Sequence, residues 1–512
     1  MTSRIVFVLL SIFALPLAAQ SELDSTMKSL RTDVRRVTLE NGLRIIMVRR
    51  PFSPTVACYM KFKAGGADET EESAGIAHML EHMLFKGTER VGTLDFEKEK
   101  KYIEQSNVWA DRLDDARRAL DAAEKSGDTT RIAEAKAEVQ KRKQRLMSLQ
   151  QMARKYMIPD EDSYIYAQAG ERGYNAYTTK DLTNYQVELP ANRLEIWAKL
   201  ESDRMENSVL RDFYTEREVV REERRLRVDN VAQGALLEQF IKDIYGSHPY
   251  GRSLIGSMQV IQYLNFGQAK SFYNTYYAPN NTVIALVGDI DLAQTEALMR
   301  KYFSHLKRKD IPERPSVAVA PSRARTEIEK PGSPVMFLAW NKPSGMTKDS
   351  LSLEVLSSIL AGRSDSRLVR KLVMKDRSAA EVSAFTGYPG ERHPNLLTIQ
   401  AVPAPGKSYD DVQKGVLEEI ASVQKDGVTQ DELDRVKASM VADFLYGLRS
   451  NAEYADNLSY YELLYGNYET LFTKITALSA IAPADVKKAA IEYMTPDKMH
   501  SARLKQAKGE EQ

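Results

Sequence analysis

The sequence predicts an α+β protein built as two halves of similar element order, with a long helical hairpin inserted in the first half. Three observations carry this. Short β-rich runs, the first pair joined at Asn41-Gly42, alternate with amphipathic helical stretches. A charged stretch holding Pro312, Pro315, Pro321 and Pro331 divides the chain at 306–334, and a similar element order resumes beyond it. Residues 95–158 have a texture of their own, rich in Ala, Glu, Lys, Arg and Gln.

Taken in order, residues 1–20 read as a signal peptide. Arg4 precedes the apolar run Ile5–Ala18, and Leu17-Ala18-Ala19 ends it with a cleavage site after Ala19. The run is shorter than the ~20 residues a membrane span needs, which favours cleavage over an anchor. Export and a periplasmic location follow as expectations, with no span beyond residue 20. Residues 33–66 predict a hairpin and a third strand, 55–63. That strand holds the single cysteine, Cys58, read as a small buried hydrophobe rather than a nucleophile.

A helix starting near Ser73 carries His78, Glu81 and His82. Within 95–158, Ile103, Leu113, Leu120, Ile132, Val139 and Leu146 recur at helical intervals, and Ser126-Gly127-Asp128 breaks the run. This predicts two helices packed along a coiled-coil-like seam. Its role is open between a lid, a dimer contact, a docking arm and a surface elaboration. Then follow a strand at Asn175–Thr179, a helix from Ala191, a charged helix over 211–228 and a buried strand at Val283–Val287. The expected domains are 33–305, a linker at 306–334, and 335–505, which opens with the strand Val335–Trp340 and a helix over 350–361.

Composition narrows the function classes. Of 512 residues, 43% are hydrophobic and 28% charged, which is ordinary for soluble globular protein. A net charge of +1 gives no electrostatic case for a nucleic-acid partner.

His78-Met79-Leu80-Glu81-His82 is the central motif. Positions i and i+4 of a helix share a face, so both imidazoles can reach one cation, and a catalytic zinc site uses three protein ligands plus water. Glu81 lies on the same side, placed to take a proton from water whose pKa the metal lowers towards ~7. The bland alternatives are two unconnected histidines or a structural zinc site. The latter usually closes with four ligands, often Cys, and only Cys58 is present. For a third ligand, the 211–228 helix places Glu216 and Glu223 nearly two turns apart on one face. Glu223 could bind metal while Glu216 orients a His ring. Composition alone does not choose between these and a merely solvated helix, and Glu222 stands next in line.

The segment His78–Thr88 (HMLEHMLFKGT) closely resembles the active-site segment of the pitrilysin/insulinase-type metallopeptidases, which include mitochondrial processing peptidase and bacterial secreted members. The resemblance continues through Asn175-Ala176-Tyr177-Thr178-Thr179, Glu216–Glu223, His248-Pro249-Tyr250-Gly251-Arg252 and Tyr277–Asn281. It weakens in the second half, around Ile359–Gly362 and Ser366-Arg367-Leu368. It implies two related halves, each a mostly antiparallel sheet packed with helices. It implies Zn2+ on His78, His82 and Glu223, Glu81 as catalytic base, Glu216 as a supporting acid, and an edge strand at Asn175, Ala176 and Tyr177 that pairs with extended peptide. Arg367 and Tyr388 are further candidate substrate contacts. The second half has no such motif and is expected to be inactive. The implied activity is zinc-dependent endopeptidase action on peptides or unfolded segments, in a homodimer or beside a zinc-free sister chain. The competing reading is a non-catalytic assembly or chaperone-like subunit, which the intact Glu81 disfavours.

Overall fold

A computed structural model describes residue 31 and residues 34–314 and 323–505. The expected signal peptide, 1–20, and the middle of the expected linker, 315–322, lie outside the described residues. No helix among the described residues is long and apolar enough to cross a membrane.

The first half is a six-stranded sheet ordered β1-β2-β6-β3-β5-β4. Its strands are β1 (Val34–Thr38), β2 (Arg44–Arg49), β3 (Thr55–Phe62), β4 (Arg172–Thr178), β5 (Thr183–Pro190) and β6 (Thr282–Gly288). The β1–β2 turn needs glycine at residue 42: its φ is +87°, and a Cβ there would stand 2.7 Å from that of Asn280. The second half is a five-stranded sheet ordered β7-β11-β8-β10-β9. Its strands are β7 (Arg325–Glu329), β8 (Met336–Lys342), β9 (Ala379–Tyr388), β10 (Asn395–Pro403) and β11 (His500–Lys505). In each sheet one pair is parallel, β2 with β6 and β7 with β11, and the remaining pairs are antiparallel. The order β2-β6-β3-β5-β4 thus recurs as β7-β11-β8-β10-β9, so the repeat that residues barely suggest is explicit in the topology.

Strand β7 corrects the expected linker. Its sequence, RTEIE, reads as charged loop between prolines, yet it pairs with β11 and buries Thr326. An edge strand needs few apolar residues when its partner supplies the ladder.

The central strands of the first sheet are mostly apolar on both faces because both are covered, with Lys61 of β3 a buried exception. Ile46, Val48, Ala57, Tyr59, Val283 and Ala285 face a core shared with the second half. Ile45, Met47, Val56, Cys58, Met60 and Ile284 face a second core with the helix α1 (Ile76–Met83). Cys58 is accordingly a free, buried thiol.

Helices α2 (Phe96–Ser126) and α3 (Thr129–Arg154) form the inserted hairpin. Asp95 and Asp128 cap their N-termini. None of residues 117–145 is buried, but the base of the hairpin is anchored. Asp114 takes a bond from buried Arg217 at 2.9 Å, and Arg154 reaches Asp212 at 2.8 Å. Both contacts brace α4 (Phe213–Arg224).

Candidate metal centre

Two helices meet at the site. The entry to α1 is fixed by Gly75, whose φ of +98° lets it approach Ile255 O within 2.5 Å of where a Cβ would lie. The buried Glu69 carboxylate accepts from the Gly75 and Ala77 amides at 3.0 and 2.8 Å, satisfying amides at the buried N-terminal end of α1. Ile76, Met79, Leu80 and Met83 anchor α1 in the core. His78, Glu81 and His82 border a cavity of about 720 Å³. Helix α4 buries Phe213, Tyr214 and Val220 and turns Glu216 and Glu223 towards α1. It continues into a wider π-type turn, Arg225–Asp229.

The structure brings His78, His82 and Glu223 together, with one ligand atom of each within 4.8 Å of the others. Nε2 of His78 is 3.6 Å from Oε2 of Glu223, and Nε2 of His82 is 3.4 Å from it. Among the described residues Oε2 of Glu223 is buried with no hydrogen-bond donor, while Oε1 is held by Arg227 at 2.8 Å. Nδ1 of His82 lies 3.0 Å from Glu216 Oε1. With the proton on Nδ1, donated to Glu216, the Nε2 lone pair faces Glu223. Lys86 secures the other Glu216 oxygen at 2.9 Å.

These groups fit a divalent cation. Burial and the neighbouring His82 push His78 down to about 4, so its ring is neutral. Burial disfavours charge on His82 too, yet Glu216 and Glu223 overcome it and raise that ring to about 9. The pocket therefore favours positive charge at that point. An orphaned carboxylate oxygen facing two ring nitrogens is a donor set suited to zinc.

Glu81 stands beside this trio. Burial raises its pKa, and the hydroxyl of Thr178, donating to Oε2 at 2.5 Å, moderates the rise. Thr178 ends β4, one of the two outermost strands of the sheet, so one hydrogen bond links Glu81 to that sheet edge.

Asn175, Ala176, Tyr177 and Tyr388 all border the cavity. Arg367 does not. It is locked by Glu432 at 2.7 Å and Glu419 at 3.4 Å, with a further bond to Gly427 O. A guanidinium that already has its carboxylates inside its own half is not free for substrate in that cavity, so the structure moves Arg367 from candidate contact to internal brace. Sequence reasoning placed Thr178 only in the edge strand, with no contact to Glu81, and assigned nothing to Lys86 or Arg227. The first two lie inside recognisable motifs, but only their contacts reveal what they hold.

The fold and this convergence define a class of two-half protein with an inverted His-x-x-Glu-His helix. A family model described as Insulinase (Peptidase family M16) matches residues 44–108, and one described as Peptidase M16 inactive domain matches 263–440. The first and second halves thus each match a model of the M16 peptidase family. It is 27% identical over 428 residues to zinc protease PqqE of Helicobacter pylori, covering 82% of this chain and 81% of that protein. It is 23% identical over 443 residues to mitochondrial-processing peptidase subunit beta of Caenorhabditis elegans, covering 84% and 80%. Among solved structures, a protease from Helicobacter pylori superposes with a TM-score of 0.74 at 24% identity, covering 92% of this chain and 99% of that one. The periplasmic protease PqqL from Escherichia coli gives 0.66 at 17% identity, covering 92% and 47%.

Proposed function

We propose that the protein is a zinc-dependent endopeptidase that hydrolyses peptides or unfolded segments, with His78, His82 and Glu223 as metal ligands. The observation that carries the reading is the meeting of two Nε2 atoms and an undonated Glu223 oxygen beside Glu81. Relatives named zinc proteases support the metal and the reaction class.

Zinc held there supplies Lewis acidity, polarising a scissile carbonyl and making water acidic enough to give up a proton near neutral pH. Glu81 accepts that proton and passes it to the leaving amine nitrogen. Its raised pKa suits a group that must both take and return a proton. Thr178 holds the carboxylate in place through the step. Glu216 keeps the His82 ring in the tautomer that offers Nε2. The free side of β4 offers backbone groups of Asn175–Thr178 to an extended peptide, which gives affinity with little sequence demand, and Tyr388 reaches the same cavity from the second half. The apolar run Ile5–Ala18, and a structural neighbour named as periplasmic, support work in the periplasm. Pairing with a second copy or a zinc-free sister chain is the assembly we propose, since a relative is named as a subunit.

Glu81→Gln tests the mechanism. Cleavage of a quenched fluorescent peptide should fall by at least about a hundredfold, the lower end of what a general base contributes, with zinc content unchanged. Retained turnover would falsify Glu81 as base. A wild-type protein that binds zinc but cleaves nothing in a mixed peptide pool would favour the non-catalytic subunit.

A further inference from the structure

Lys61 lies in β3 on the face opposite α1, and its side chain is 0% exposed. A buried ammonium is costly unless it is paired and fully hydrogen-bonded. Here its three protons have three acceptors. They are Tyr177 Oη at 2.7 Å, Asn184 Oδ1 at 2.9 Å and Asp456 Oδ1 at 2.6 Å. Each comes from a different element: β4, β5, and the second-half helix α5 (Asn451–Tyr465), which packs on β3 and β6. Tyr177 completes the triangle by donating to Asp456 at 2.9 Å. Burial lowers the pKa of Lys61, with Asp456 opposing. Burial also raises that of Tyr177, with Asp456 adding, so the phenol keeps its proton. The Asp456 side chain is 37% exposed, so the counter-charge stays hydrated at little cost.

Packing does not explain this cluster. The neighbours of Lys61 on the same face, Tyr59 and Ala57, belong to the core shared by the halves, where an aliphatic residue would sit without desolvating a charge. The cluster does explain how β4 is held. Among the described residues that strand pairs only with β5, and its register breaks between Arg172 and Asn175, so a ladder of four residues, Asn175–Thr178, carries it. Successive side chains of a strand point to opposite faces. Thr178 ties one face to Glu81, and Tyr177 ties the other to Lys61 and Asp456.

We propose that Asp456, Lys61 and Tyr177 are positioning residues through which the second half fixes the edge strand β4 for pairing with an extended peptide. The half without the His-x-x-Glu-His motif thereby acts on substrate binding. This rests on the reading of β4 as the peptide-pairing edge.

Two variants test it in the full-length, zinc-loaded protein. Tyr177→Phe removes only the bridging hydroxyl and keeps the Lys61–Asp456 pair, so the fold is retained. Asp456→Asn removes the charge from the second-half side. Each should raise KM for a fluorogenic peptide by about three- to tenfold, the net size of one hydrogen bond. We expect kcat within about twofold and zinc content unchanged, and the double variant little worse than the poorer single one because the residues share a network. Independently of cleavage, amide hydrogen exchange over 172–178 should quicken while β2 and β6 stay protected. Unchanged KM and unchanged β4 exchange in Tyr177→Phe would overturn the proposal. So would exchange that quickens evenly across the sheet, since that marks a merely structural role. A wild-type chain inactive on peptides would sink the peptidase reading, while the exchange measurement would still decide whether the second half holds β4.

Discussion

The two halves follow one topology, yet the helix after the third strand of the shared order has opposite fates in them. In the first half that helix is α1, short, with His78, Glu81 and His82 along a cavity. In the second half it is Lys348–Ala361, which buries Leu351, Leu353, Leu356, Ile359 and Leu360 in the core between the halves. Architecture alone therefore does not make a site. A helix face becomes chemical only where a neighbouring helix stands off far enough to leave a cavity and supplies carboxylates across it. Helix α4 does this for α1, and the inserted hairpin holds α4 through Asp114 and Arg217.

That contrast can be broken at several points. The largest effect should come from Glu223→Gln, which removes the anionic ligand; we expect loss of stoichiometric zinc, measured by metal analysis after dialysis, and loss of cleavage. Normal zinc with full activity would move the ligand elsewhere, Glu222 first. Next, Leu356→Ala in the second-half helix should cost about 2–5 kcal/mol in denaturant unfolding, as cavity-forming core truncations do, while zinc content stays the same. Glu216→Gln should weaken zinc affinity by about 10–100-fold, as lost outer partners of ligands do, read by chelator competition; an affinity within twofold of wild type would deny it a supporting role.

The smallest effect concerns the second half's ion pair. Arg367 holds Glu432 down to about 2. A carboxylate depressed in the folded state stabilises above its unfolded pKa and loses that contribution as pH falls through the folded value. The melting temperature of wild type should thus exceed that of Glu432→Gln near neutral pH, and the gap should shrink between about pH 4.5 and 2. A gap constant with pH would show that the pair contributes nothing through charge.

Much of this was legible beforehand. The His78–His82 spacing, the β1–β2 hairpin at Asn41-Gly42 and the hairpin helices follow from periods of two to four residues, which a chain displays locally. β7 was not legible, because a charged edge strand takes its order from β11. Nor was the confinement of Arg367, since Glu432 and Glu419 lie on elements that spacing does not connect to it.

By itself, the sequence determined which residues could do chemistry at all: two imidazoles one turn apart with a carboxylate between them, on one helix. Only the tertiary structure decided which distant side chains join them. His82 and Glu216 are 134 positions apart, and Lys61 and Asp456 are 395 apart. Side chains so separated in the chain meet only because buried sheets and helices fix their positions, and no local pattern records that geometry.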